Sequence, residues 1–273
     1  MLLTVPIAIL GGDMRQHHLA RLLQCDGLQV LTCGVPELPD TYPGSSPVHT
    51  FLLPMPAFPS DGRIRGSTAL QLLTNHAGPG DLVFGGMLAP QAKTLQTAGL
   101  RLYDYAGDET LVLENAALTA EAAVYLLLQQ MQRPIAGSQI LITGFGRIAR
   151  FLGERLAALH AAVTVTSRSS AGRTLGRLYG YQTADTGKLP PLVSFDAIVN
   201  TVPAQILSSG QLAQLDPDCL LLELASLPGG FPPEAEALPN YLCARGLPGK
   251  YAPKAAAIFI RDAVFRSGLW KGV

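Results

Sequence analysis

The chain has no excess of charge of either sign. Its 273 residues carry 20 Lys plus Arg against 20 Asp plus Glu, so no overall field would hold it to nucleic acid or to an anionic membrane. Any charge chemistry is therefore local. Cysteine is sparse: Cys25, Cys33, Cys219 and Cys243 show neither CxxC pairing nor a nearby His at ligand spacing, which signals no metal site and no disulfide framework. They read as reduced thiols. A basic leader is missing too, because the apolar start Val5 to Leu10 runs directly into Gly11-Gly12-Asp13; this is a buried strand ending in a turn, and the expectation is a cytosolic protein. No uninterrupted apolar run approaches the roughly 18 residues that span a bilayer. Internal repeats and low-complexity tracts are also absent.

What is present is a chain long enough for two compact domains, each with its own core, and two lobes imply a cleft. Only 15% of residues are charged and mean hydropathy is +0.26, as expected for fully buried parallel strands. The first lobe reads as strand 5–10, helix 14–24 and strand 29–32. A loop follows through Pro36, Pro39, Pro43 and Pro47, then strand 48–53, helix 68–76 and strand 81–84. Ala, Leu, Glu and Gln dominate 115–132, which predicts a long bridging helix with Thr119 as its N-cap, stopped by Arg133-Pro134. The second lobe alternates strands at 139–143, 162–166, 197–200, 219–224 and 241–243 with helices at 147–159 and 171–179. A final helix at 253–267 places Ala257, Ile260 and Val264 on one face, suited to packing back on the first lobe.

The fold class expected is therefore α/β, with two doubly wound domains, the C-terminal one Rossmann-like, arranged as in two-domain 2-hydroxyacid dehydrogenase-like proteins. The boundaries are 1–133 for a flavodoxin-like substrate-side domain, 134–251 for the Rossmann domain, and 252–273 for the returning helix.

Gly144-Phe145-Gly146-Arg147-Ile148-Ala149 follows an apolar strand and opens a helix, the context that gives a G-x-G-x-x-A turn its meaning. Gly144 allows the tight turn, Gly146 lets a pyrophosphate approach the backbone, and Ala149 lets the helix press on the sheet. The second strand ends at Ser167-Arg168-Ser169-Ser170, roughly twenty residues on, where an NAD enzyme places an acid for the ribose hydroxyl. A cation with hydroxyls suits a 2′-phosphate instead, so NADP is expected over NAD. The other reading makes Arg168 a solvated residue and a serine only a helix cap.

Asn200-Thr201-Val202-Pro203 and Ala225-Ser226-Leu227-Pro228-Gly229-Gly230 each follow an apolar strand. Asn200, Thr201 and Ser226 therefore stand as nicotinamide contacts or as turn caps. Gly246 to Lys254 contains flexible glycines that suit a moving lid, with Lys250 placed to hold a carboxylate or donate a proton and Tyr251 to assist. At the first strand-to-helix turn, Asp13 reads as a helix cap and Arg15 as a partner for a carboxylate.

Taken together, Gly11-Gly12-Asp13-x-Arg15-Gln16, Gly144-Phe145-Gly146-Arg147, Ser167 to Ser170, Asn200 to Leu207, Leu224-Ala225-Ser226-x-Pro228-Gly229-Gly230 and Gly246 to Lys250 resemble the family of A-type subunits of dipicolinate synthase over nearly the whole chain. One departure is Ala116-Ala117-Leu118-Thr119-Ala120-Glu121, where the family pattern carries an Ile-Pro-Thr-x-Glu-Gly-like run. The resemblance implies oxidation of a dihydrodipicolinate to pyridine-2,6-dicarboxylate with NAD(P), beside the flavoprotein-like B-type subunit of dipicolinate synthase, in the mother cell of a sporulating bacterium; a homo-oligomer is compatible with it. Aromatisation lessens the need for a strong base and makes positioning the larger task. The substrate's two carboxylates are assigned to Arg15 and Lys250. Competing readings are an NADP-dependent dehydrogenase of another small carboxylic acid, disfavoured because no His follows His160, and an NADP-binding regulatory protein.

Overall fold

The computed structural model describes residues 6–42, 48–58 and 69–270. Val5, Pro43, Pro47 and Thr68, at the edges of segments expected above, lie outside them. The chain forms two compact units. One comprises Met1–Asn115 with Pro248–Val273, and the other comprises Ala116–Leu247.

The first unit runs β1 (Ile7–Leu10), α1 (Met14–Cys25), β2 (Val30–Cys33), β3 (Thr50–Leu52), α2 (Ala69–His76), β4 (Leu82–Gly85), α3 (Ala92–Thr97), β5 (Arg101–Asp104) and the start of α4 (Glu109–Gln130). Among the described residues its five strands are all parallel, in the order β2-β1-β3-β4-β5, which is the flavodoxin-like arrangement. Strand residues alternate between two apolar layers. Ile7 and Ile9 join Leu19 and Leu23 of α1 on one face, and Ala8 and Leu10 join Leu73 and Leu95 on the other. The α1 turn begins in a capping box, with Arg15 N donating to Asp13 Oδ1 (3.0 Å) and Asp13 N donating to Gln16 Oε1 (3.1 Å).

The second unit continues through β6 (Gln139–Thr143), α5 (Arg147–Ala158), β7 (Ala162–Thr166), α6 (Ser170–Leu178), β8 (Gln182–Ala184), β9 (Ala197–Asn200), α7 (Ser209–Leu212), β10 (Leu220–Glu223) and β11 (Tyr241–Cys243). The order β11-β10-β9-β6-β7-β8, again all parallel, is that of the Rossmann fold. Connections diverge on either side of β6 and β9, so a crevice opens beyond the carboxyl ends of those two strands. The chain then passes through α8 (Leu247–Tyr251) to α9 (Pro253–Arg266). That helix lies along α1 in the first unit, burying Ala257, Ile260, Ala263 and Val264.

Several boundaries differ from the sequence reading. α4 starts at Glu109, not at 115, because Asp108 caps it by accepting from Leu111 N at 2.8 Å. Thr119 is consequently a buried residue inside the helix, not its cap. Leu111 packs in the first unit's core, whereas Ala120, Ala123, Leu126 and Leu127 pack in the second's. The boundary between the units therefore falls within α4 at 115/116, where the sequence suggests 133/134, and again at 247/248 in place of 251/252. α4 is also long and apolar enough by length and composition to cross a membrane; its packing in two cores accounts for that composition. β5, β8, α3 and α7 have no counterpart in the sequence reading.

Candidate functional site

The fingerprint turn sits where β6 ends, beside the reversal of strand order. Gly144 has φ +89°, and a Cβ there would approach Val202 Cγ2 to 2.8 Å and Thr201 Oγ1 to 2.9 Å. Both the backbone region and the lack of space require glycine. Its N–H donates to Thr166 Oγ1 at 2.9 Å, tying the turn to the end of β7. Gly146 is the N-cap of α5, no side chain caps that helix, and the space where a Cβ would project is open. An open glycine at an uncapped helix N-terminus fits the diphosphate of a dinucleotide. Ala149 is fully buried against the sheet. Phe145 takes a different role from the others: its ring turns into the core, edge-on to Tyr179 and Tyr181, with the Arg150 guanidinium 5.5 Å from its centroid. Only its backbone belongs to the turn. Ile148 packs against the same core and Arg147 is exposed.

Beyond β7, Ser169 caps α6 by accepting from Gly172 N at 3.0 Å, and the Ser167 hydroxyl lies 3.5 Å from that of Ser169. The side chain missed by sequence reasoning here is Arg173. Its Nη1 donates to Ser167 O (2.8 Å), Arg168 O (3.1 Å) and Asp185 Oδ2 (2.6 Å), which pins the segment and leaves the guanidinium engaged. Arg168 itself is exposed, and its side chain makes no hydrogen bond or ion pair among the described residues. The 167–170 segment therefore presents one uncommitted cation beside three hydroxyls and no carboxylate.

After β9 and β10 the structure shows a buried polar network centred on Asn200. Asn200 is wholly buried, and its amide is consumed internally. Oδ1 accepts from Thr143 Oγ1 (2.5 Å) and Val202 N (3.1 Å), while Nδ2 donates to Val202 O (2.9 Å) and Glu223 Oε1 (2.6 Å). Thr201 Oγ1 donates to Thr143 O at 2.6 Å, Val202 is half-buried, and Pro203 is exposed. Ser226 is exposed in a turn containing the cis Leu227-Pro228 bond, its carbonyl accepting from Gly229 N at 3.0 Å. Glu223 is not singled out by the sequence, since nothing local marks a strand-ending acid as structural.

In the first unit Arg15 is 6% exposed and stands as one half of a pair. Nε and Nη2 donate to the two Asp13 oxygens at 2.9 and 2.8 Å, and Nη2 also donates to Met55 O at 2.6 Å. Burial pulls its pKa down, but the Asp13 carboxylate outweighs that and raises it. Tyr105, buried nearby with its hydroxyl on Leu53 O (2.7 Å), has its pKa pushed well up by the same loss of water. The segment read as a lid is a short helix, α8, in which Gly249 lies against the Asp13–Arg15 pair and Lys250 is exposed. The four cysteines are free thiols. Among the described residues no group of three or more His, Cys, Asp or Glu could hold a metal ion.

Two parallel-sheet units, one of flavodoxin-like and one of Rossmann strand order with a glycine turn at its switch point, define a two-domain Rossmann-type α/β protein. The same fold appears in L-alanine dehydrogenase, with TM-score 0.64 at 12% identity over 97% of this chain and 89% of that one. More particularly, residues 6–106 match the family model of the N-terminal domain of the A-type subunit of dipicolinate synthase. The A-type subunit of dipicolinate synthase from Bacillus subtilis (strain 168) is 28% identical over 97% of this chain and 96% of its own length. The crystal structure of its counterpart from Bacillus halodurans superimposes with TM-score 0.84 at 23% identity, covering 99% of both chains. The chain is thus similar to the A-type subunit of dipicolinate synthase from end to end, and the resemblance carried by its motifs holds.

Proposed function

We propose that this chain is an NADP-dependent oxidoreductase that converts dihydrodipicolinate to dipicolinate, acting in the cytosol of a sporulating cell beside a flavoprotein-like B-type subunit. The observation that carries the reading is the carboxyl edge of the second sheet. An uncapped helix N-terminus behind Gly144 and Gly146 suits a diphosphate, and Arg168 with Ser167 and Ser169 suits a 2′-phosphate where an acid would select NAD. The likeness to the A-type subunit of dipicolinate synthase supports the substrate.

The bound nucleotide supplies the hydride acceptor. In the balanced reaction the dihydropyridine ring loses one hydride and one proton, and aromatisation drives it, so the protein's task is to hold the ring and its two carboxylates in place. Lys250, exposed at the end of α8, offers the mobile cation for one carboxylate. Arg15 is already paired with Asp13. We assign that pair first to holding the Gly249-Lys250 segment, and to the second carboxylate through whatever part of the guanidinium charge Asp13 leaves.

The test is formation of reduced nicotinamide by the purified chain on dihydrodipicolinate generated in situ, with NADP and NAD, with and without the B-type subunit. The expected result is reduction coupled to dipicolinate formation and faster with NADP. Arg168→Ala should raise the KM for NADP about ten-fold or more while leaving that for NAD unchanged. Absence of turnover in every mixture despite nucleotide binding would replace this reading with a regulatory one.

A further inference from the structure

Glu223, the last residue of β10, is 1% exposed, and each of its oxygens is engaged. Oε1 accepts from Asn200 Nδ2 (2.6 Å) and from Ala225 N (2.9 Å), and Oε2 accepts from Gly230 N (2.7 Å). Through Asn200 the connection continues to Val202, by N–H and carbonyl, and to the Thr143 hydroxyl at the end of β6. The loop glycines are shaped around it. A Cβ on Gly229, at φ +90°, would stand 2.7 Å from Glu223 Oε2 and 2.8 Å from Arg245 Nη2, and one on Gly230 would collide with the Asn200 amide. Arg245 closes the far side by donating to Ala225 O at 2.8 Å.

Burying a carboxylate is expensive, and apolar packing would hold three strands together at lower cost. What the carboxylate does that an apolar group cannot is direct backbone: its acceptors fix Ala225 and Gly230 at the two ends of one loop and, through Asn200, the 201–203 loop. These two loops follow the strands on one side of the switch point. The Gly144–Ala149 turn and the Ser167–Ser169 segment follow β6 and β7 on the other. A dinucleotide lies across that point, one half to each side.

We propose that Glu223 is a positioning residue that sets the two loops receiving the nicotinamide half of the cofactor, without touching it. This rests on the cofactor reading above. Gln is isosteric, but its amide nitrogen cannot accept, so at least one of the three donors would be left without its partner. The experiment compares the full chain with Glu223→Gln for binding of NADPH, followed by dihydronicotinamide fluorescence, and of 2′,5′-ADP, which carries only the adenine half, alongside thermal unfolding. NADPH affinity should fall about ten-fold or more, with 2′,5′-ADP affinity kept within about two-fold. Unchanged NADPH affinity, or an equal loss for both ligands, overturns the proposal, the second because it marks general loosening. Should Glu223→Gln fail to fold, Thr143→Val, which removes only the hydroxyl donated to Asn200, should show the same contrast at about three-fold, and its absence overturns the proposal equally. A wild-type chain that binds neither ligand removes the cofactor reading itself, whereas one that binds both beside an unaltered variant removes only Glu223.

Discussion

A methyl group at position 249 would stand 2.9 Å from Arg15 Nε and 3.0 Å from Asp13 Oδ2. They belong to one pair, Arg15 buried and Asp13 half-buried, with a third anchor at Met55 O, so neither can swing aside cheaply. Gly249→Ala should therefore destabilise the chain by about 1–3 kcal/mol and raise the substrate KM by displacing Lys250, while nucleotide affinity stays constant. A melt and a steady-state assay check this, and an unchanged KM would separate the Arg15 pair from substrate binding. The residues of the glycine turn are legible because their meaning lies in local spacing: Gly144, Gly146 and Ala149 each have a role fixed by the next few residues. Glu223 and Arg173 are not. Glu223 acquires its role from Asn200, 23 positions away, and Gly230, seven away, and Arg173 from the carbonyls of a turn it follows and from Asp185. Asn200 stands out in the sequence, but whether its amide faces a ligand or its own sheet depends on Glu223.

Among the elements, α4 and α9 are joined by Asp108 and Arg266, with Nε to Oδ2 at 3.2 Å and Nη2 to Oδ1 at 2.8 Å. The Arg266 hydrogen bonds hold the Asp108 carboxyl below its usual value. Because the folded-state pKa is depressed, the stabilisation is present above the ordinary carboxylate range and is lost as pH falls through the folded value. Asp108→Asn keeps an N-cap side chain but removes the charge. It should lower stability by about 1 kcal/mol near neutrality and converge on wild type as the medium is acidified. Melting curves across that range test it, and a gap that persists in acid would assign the effect to capping alone. The start of α4 escapes sequence reading because the Ala-rich composition that signals the helix begins only at Asn115, while the capping Asp108 and the short apolar run Leu111-Val112-Leu113 behind it could equally be read as a loop leading into a strand. β5 and β8 escape it because both are edge strands with exposed or half-buried residues, lacking the continuous apolar run that marks β1, β4, β6 and β10.

At the scale of the molecule, the α/β class and both parallel sheets can be read from the alternation of buried strands and helices. The unit boundary cannot, since one helix contributes to two cores and runs unbroken through Asn115. A ligand that binds only the folded state stabilises by mass action. NADP at one hundred times its Kd should add about 2.7 kcal/mol, and NAD at equal concentration less; identical melting shifts for the two nucleotides would remove the argument from Arg168. The first unit is also discontinuous, because α9 supplies Ala257, Ile260, Ala263 and Val264 to the layer that holds Leu19 and Leu23 of α1. During synthesis the sheet that leaves the ribosome first is therefore completed last. At about 5–20 residues per second it waits roughly 7–30 s with one apolar face covered by α1 but not yet by α9, while Ala116–Leu247 can already close on itself. Within that interval the newborn chain exposes the apolar surface that α9 later covers, which is the kind of surface a chaperone shields.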